Sequence, residues 1–120
     1  MSDLEYEEKI LKDVERQKGF RPNPLQLMSK KENVLPSFMK YGNSILNKGP
    51  INKKDSYLIA LAVAVALKSE VCITSHTRTA LKYGATKDEI YQTLLIAGLI
   101  SNTSPLHGAY EYIEQIIEKR

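Results

Sequence analysis

Cys72 is the only cysteine of the chain and His76 one of its two histidines. They stand four residues apart in Ser69-Glu-Val-Cys72-Ile-Thr-Ser-His76. On a helix that spacing puts thiol and imidazole on one face, a turn apart. A cysteine in the first turn of a helix meets the positive end of the helix dipole, which favours thiolate over thiol. A base one turn on, reaching the sulfur directly or through a water, is the usual arrangement of an activated sulfur nucleophile. Ser69, three residues before Cys72, can place its hydroxyl beside the thiol at the helix entrance. The same spacing also fits a structural pair, because free cysteine often packs as a small hydrophobe with a hydrogen-bonded histidine beside it. From spacing alone both readings stand.

The segments that must position these residues all read as helix. Ser2 and Glu5 form a capping box for a first helix, rich in Glu and Lys, that Gly19 closes. Phe20-Arg-Pro-Asn-Pro24 cannot lie inside a helix, since each proline disfavours helix in the residue before it. A short helix is expected from Leu25 to Lys31. From Pro36 the apolar residues Phe38, Tyr41 and Ile45 keep helical spacing up to Asn47-Lys-Gly49-Pro50. Asn52 then caps a helix running through Leu58–Leu67 (LIALAVAVAL) to about Lys68. A turn at Ser69 opens the helix Glu70 to Tyr83, with Gly84 as its C′ residue. Thr86 and Glu89 make a second capping box for a helix from Lys87 to about Ser101. Asn102-Thr-Ser-Pro105 is expected to break it, and a last helix carries Tyr110, Ile113, Ile116 and Ile117 on one stripe. No segment alternates as a strand would. The expected fold is therefore an all-α bundle of about six or seven helices.

Composition narrows the function classes. A chain of 120 residues is expected to form one domain, residues 1–120, burying roughly 65% of its unfolded surface. Its net charge of +3, from 17 basic and 14 acidic residues, specifies no partner. Basic residues pair only as Lys30-Lys31 and Lys53-Lys54, with no reading motif, so no nucleic-acid partner is expected. One cysteine excludes an internal disulfide, and no Cys/His set resembles a metal site. The acidic, helical beginning is unlike a signal peptide. Leu58–Leu67 would span only about 15 Å as a helix, about half of a bilayer core, so it reads as a buried core helix. A soluble, cytoplasmic protein without a membrane partner is expected. Apolar residues cover more than one face of Leu58–Leu67 and of Ile90–Ile100, more than so small a domain can bury, which points to a homo-oligomer.

The run LIALAVAVALKSEVCITSHTRTALKYGATKDEI resembles the carboxymuconolactone decarboxylase and alkylhydroperoxidase D (AhpD) superfamily. There an Ala/Leu-rich helix precedes a C-x-x-C-x-x-x-H motif, a basic-Ala-Leu helix, a glycine and a GAT-x-x-E-I capping box. Here those pieces stand as Ser69 to His76, Arg78, Ala80-Leu81, Gly84-Ala-Thr86 and Glu89-Ile90. Arg21-Pro-Asn-Pro24 and the stretch from Leu35 to Gly49 extend the likeness to about residues 20 to 118.

The resemblance implies an AhpD-like helical bundle, assembled as a trimer or hexamer. In redox members the second cysteine acts on peroxide beside the histidine, the first cysteine resolves the sulfenic acid, and a glutamate on the preceding helix joins a proton relay. Cys72 and His76 match the second cysteine and the histidine. Ser69 stands in place of the first cysteine, Tyr57 in place of the glutamate, and Val71 in place of a histidine that some members carry. Ser69 cannot form a disulfide, so a peroxidase cycle here would be of the one-cysteine kind, resolved by an external thiol or protein reductant. Tyr57, a poor base near neutrality, could still donate a hydrogen bond to a water or a peroxide.

The expected function is thiol-dependent hydroperoxide reduction at Cys72 with His76 as base or hydrogen-bond partner, Ser69 and Tyr57 as polar neighbours, and no cofactor or metal. One alternative is acid/base chemistry by His76 on a small carboxylated lactone. Arg78 is then the nearest cation for the carboxylate, though its place on a different helix face suits a surface charge better. Another alternative is a catalytically degenerate helical binding or assembly protein. His107 is expected to be a solvated or capping histidine.

Overall fold

Asn52 starts the helix around which the chain is organised. Its side-chain oxygen accepts the Asp55 backbone N–H at 2.8 Å, and its amide donates to the Asp55 carboxylate at 3.0 Å. Such a cap is worth about 1 kcal/mol. The computed structural model describes residues 3–118, and among these every regular element is an α-helix. In chain order they are α1 (Asp3–Lys18), α2 (Asn23–Met28), α3 (Val34–Leu46), α4 (Lys53–Ala66), α5 (Glu70–Lys82) and α6 (Lys87–Glu118). The all-α expectation and its count of helices hold. The expected Ser2 capping box lies outside the described residues.

Local chemistry explains most of the boundaries. Thr86 and Glu89 cap α6 reciprocally, Glu89 N–H to Thr86 Oγ1 at 3.1 Å and Thr86 N–H to Glu89 Oε1 at 2.9 Å. Gly84 ends the α5 segment with φ +95°, a conformation that a side chain would strain. The helix α2 starts two residues earlier than expected, because Pro24 sits in its first turn, where a missing N–H costs nothing. Likewise α3 starts two residues before Pro36, from a left-handed Asn33.

One expectation fails. Asn102-Thr-Ser-Pro105 does not break the last segment, and α6 runs unbroken for 32 residues with Pro105 inside it. A proline removes only its own bond, here to the Ser101 carbonyl, and the rest of the ladder continues on both sides. One polar side chain before it also bonds back to the helix rather than out of it. Thr103 Oγ1 donates to the carbonyls of Leu99 and Ile100 at 3.3 and 3.2 Å. His107, placed by sequence at the start of a separate helix, therefore lies within α6, and its side chain is outside the described set.

Two apolar clusters form. Tyr57, Leu61, Ala80, Ala85 and Ile90 make one, joining α4 and α5 to the start of α6. Leu11, Val14, Leu25 and Leu35 make the other, joining α1, α2 and α3. Leu61 and Leu35 are their anchors, each 0% exposed. Leu46 at the end of α3 packs on the first cluster, so α3 bridges the two. Between the clusters runs a polar seam bounded by α1, α3, α4 and α5.

Leu58–Leu67 is not buried all round, as the sequence suggested. Leu61 and Ala64 face the core, whereas Ile59, Val63 and Leu67 are exposed. An unbroken α6 is about 48 Å long, and its second half leaves the body. Tyr110, Ile113, Ile116 and Ile117, the expected stripe, are each at least half exposed. The radius of gyration is accordingly 18.9 Å, with extents of 69 × 35 × 26 Å, against about 14 Å for a compact chain of this length. Among the described residues no helix is long and apolar enough to cross a membrane.

Candidate functional site

A three-residue connection sets the site. Leu67 caps α4, Lys68 takes a left-handed φ of +57°, and Ser69 begins α5. The Ser69 N–H reaches back to the Ala64 carbonyl at 3.0 Å. So short a loop makes α4 and α5 antiparallel neighbours. Tyr57, near the start of α4, thereby comes level with the later turns of α5. Its ring centroid lies 6.0 Å from that of His76, tilted by 40°. It also stacks on Tyr83 at 5.8 Å and 17°.

Of the four residues singled out by sequence, the fold brings Tyr57 and His76 into ring contact. Cys72 lies in the first turn of α5 as expected, and its thiol is exposed. Ser69 occupies the N-cap position, but its hydroxyl makes no cap bond. No hydrogen bond joins Cys72 to His76 or to Ser69 among the described residues. Tyr57 is buried, and its hydroxyl donates to Asn47 Oδ1 at 3.2 Å. Burial pushes its pKa up. The phenol therefore stays protonated, with its proton committed to Asn47.

His76 is half-buried, and its Nδ1 is shut away from solvent with no hydrogen-bond partner. Burial lowers its pKa below the ordinary imidazole value, and the positive charge of Lys18 lowers it further. A neutral imidazole is thus held beside Tyr57 at neutral pH.

Lys18, which the sequence reading missed, connects these parts. From the last turn of α1 its ammonium donates to the hydroxyl of Ser75, a buried residue of α5 between Cys72 and His76. The Lys18 carbonyl accepts from the Arg78 guanidinium. Gly19 follows with φ +83°, and a side chain there would collide with that guanidinium. Burial lowers the Lys18 pKa, and the charge of Cys72 offsets part of the effect. A half-buried cation is therefore electrostatically coupled to both the thiol and the imidazole. Some 50 residues separate Lys18 from the motif, and its one local mark in sequence is a place just before the glycine that ends α1. Arg78, read as a surface charge, is exposed but fastened to that same end of α1.

The arrangement suits chemistry at sulfur. It offers an exposed thiol, an ammonium held on the same helix through Ser75, and a half-buried imidazole pressed toward its neutral form. No group of three or more His, Cys, Asp or Glu side chains among the described residues is placed to hold a metal ion.

Comparisons with known proteins bear on the family and the fold. A sequence model of the carboxymuconolactone decarboxylase family matches residues 32–115. An alkyl hydroperoxide reductase AhpD of Corynebacterium kroppenstedtii is 33% identical over 61 residues, 51% of this chain. The matched stretch is 35% of that relative's length, so only about a third of it is represented. A crystal structure of a protein from Methanobacterium thermoautotrophicum superposes with a TM-score of 0.68, covering 73% of this chain and 96% of the other. At 24% identity that likeness shows a shared fold.

The lowered His76 pKa has a consequence for stability. As pH falls below about 6.5, the unfolded chain takes up a proton that the folded imidazole resists, so the folded state loses stability on the acid side. In urea denaturation between pH 7.5 and 5, the wild type should lose stability more steeply than His76→Gln. Parallel curves would show that the fold does not disfavour the imidazolium.

Proposed function

The chain belongs to the carboxymuconolactone decarboxylase family, and from that premise we propose that it reduces hydroperoxides at Cys72. One observation carries the reading: the exposed Cys72 thiol shares α5 with Ser75, whose hydroxyl accepts from the half-buried Lys18 ammonium one residue before His76 ends the motif. The AhpD-named relative supports a hydroperoxide as the substrate.

In the first step the Cys72 thiolate attacks one peroxide oxygen. An S–O bond forms, the O–O bond breaks, and the departing alkoxide takes a proton. Lys18, through its ammonium, or a water held by His76 supplies that proton, and the thiolate becomes a sulfenic acid. Ser69 cannot resolve it, so an external thiol attacks the sulfur, forming a mixed disulfide and releasing water. A second external thiol displaces Cys72 and leaves as the disulfide. Two thiols and one hydroperoxide thus give one disulfide, one alcohol and one water. Tyr57 takes no part as a base, since its proton is held by Asn47, and its role is to pack and orient the His76 ring.

Turnover of cumene hydroperoxide with a dithiol reductant tests this. Cys72→Ser should abolish it, and His76→Gln and Lys18→Met should each slow it by about tenfold or more. Undiminished peroxide consumption in Cys72→Ser would overturn the reading.

The chain is also proposed to act as a homo-oligomer. The second half of α6 presents Leu106, Tyr110, Ile113, Ile116 and Ile117, each half exposed or more, more apolar surface than a monomer normally leaves in water. A second copy of the same helix is the simplest cover for a stripe of this length. Light scattering should report a mass several times that of one chain, and Ile113→Asp should lower it. A monomeric wild type would refute the assembly.

A further inference from the structure

We propose that the seam between α1, α3, α4 and α5 is a binding site for a phosphate-type group, an oxyanion carrying about two negative charges. The groove there encloses about 370 Å³, at the small end of the range for ligand pockets. Lys18, Lys53, Arg78 and Lys82 line it, and among the described residues no carboxylate does. The groove shares Lys18 and Tyr57 with the thiol site, but neither Cys72 nor His76 lines it, so anion binding and peroxide turnover can fail independently.

None of this charge is taken up in an ion pair among the described residues. The ion pairs of the described residues use other cations: Arg21 with Glu8 and Glu15, Lys54 with Glu89, and Arg16 with Asp13. None of the four groove cations is in one. A concave surface lined by one sign of charge concentrates the field and draws in the opposite sign. All four are also held in place. The ammonium groups of Lys53 and Lys82 lie 5.2 and 5.7 Å from the centroid of the Tyr83 ring. Lys18 is fixed by Ser75, and Arg78 by the Lys18 carbonyl.

The hydrogen bonding of the wall points the same way. Lys and Arg side chains carry donors and no acceptors. Asn47 Oδ1 accepts from Tyr57, and Asn47 Nδ2 donates to Asn43 Oδ1 at 2.8 Å. Both amide oxygens are thereby used within the protein, and Asn43 is left with N–H groups to offer. The ligand that fits is rich in unprotonated oxygens. A monocarboxylate would leave three of the four cations unanswered. A phosphate group brings about −1.5 to −2 charge and three acceptor oxygens, a closer match to such a donor set.

The test is calorimetric titration of the full chain at constant ionic strength with inorganic phosphate, glycerol 3-phosphate and acetate. Phosphate or its monoester should bind at least about tenfold more tightly than acetate, a factor that one charge-assisted contact supplies. The tighter of the two phosphates then tells whether the site takes the free ion or an ester. Lys53→Gln with Lys82→Gln should weaken phosphate about tenfold or more, while Lys30→Gln, on the exposed surface away from the groove, should leave it unchanged. Circular dichroism checks that each variant keeps its helices, and Lys82→Gln alone carries the test if the pair does not. Equal affinity for phosphate and acetate, no saturable binding, or a loss in Lys30→Gln as large as in the pair would overturn the proposal.

Discussion

The contact between the Lys18 ammonium and the Ser75 hydroxyl is the constraint on which the site depends. The two apolar clusters are built by different parts of the chain, α1 to α3 on one side and α4 to α6 on the other. Apolar packing alone leaves α1 loosely related to α5. Lys18 and Arg78 close that gap with two polar links at one spot, the side chain of Lys18 reaching into α5 and its carbonyl receiving Arg78. A cation is thereby lodged in the seam within electrostatic reach of Cys72 and His76. Gly19 makes the approach possible, because any side chain there would displace the guanidinium.

The α4–α5 hairpin supplies the other half. Its tight connection fixes which residues face each other, so Tyr57 meets His76 and Tyr83 rather than solvent. The family resemblance places a carboxylate at position 57, which would give the imidazole an acidic partner. Here the partner is a phenol whose proton is already given to Asn47, and the charge near the imidazole is positive, from α1. The electrostatic sense of the site is thus reversed relative to a carboxylate relay. His76 is pressed toward its neutral form, and the cation beside it comes from outside the motif.

Much of the fold was legible because its boundaries rest on local chemistry. Asn52, Thr86 with Glu89, and Gly84 each act within a turn of themselves, and each does in the structure what its sequence context implies. The interruption expected at Pro105 was not local in the same way. A proline lowers the stability of a helix without deciding whether the chain beyond it turns away, and the hydroxyl of Thr103 bonds back to the helix instead of starting a turn. The apolar faces were legible as excess, though not as to which side is buried. Leu61 and Ile59 differ by two positions on one helix, and only packing tells them apart. Within the site, the pairing of Cys72 with His76 was read from one helical period, whereas Tyr57 was singled out only by the family resemblance. Lys18 followed from neither, since its part depends on a contact across 57 residues of chain.

The central claim is that Lys18 acts electrostatically on the α5 site. The most direct measurement is an NMR titration of the His76 ring in the wild type and in Lys18→Met, with His76→Gln assigning which of the two histidine signals is which. In the wild type His76 should titrate below the ordinary value of about 6.5. In Lys18→Met its midpoint should rise toward that value while staying below it, because the burial that causes most of the shift remains. An identical midpoint in the two proteins would contradict the account.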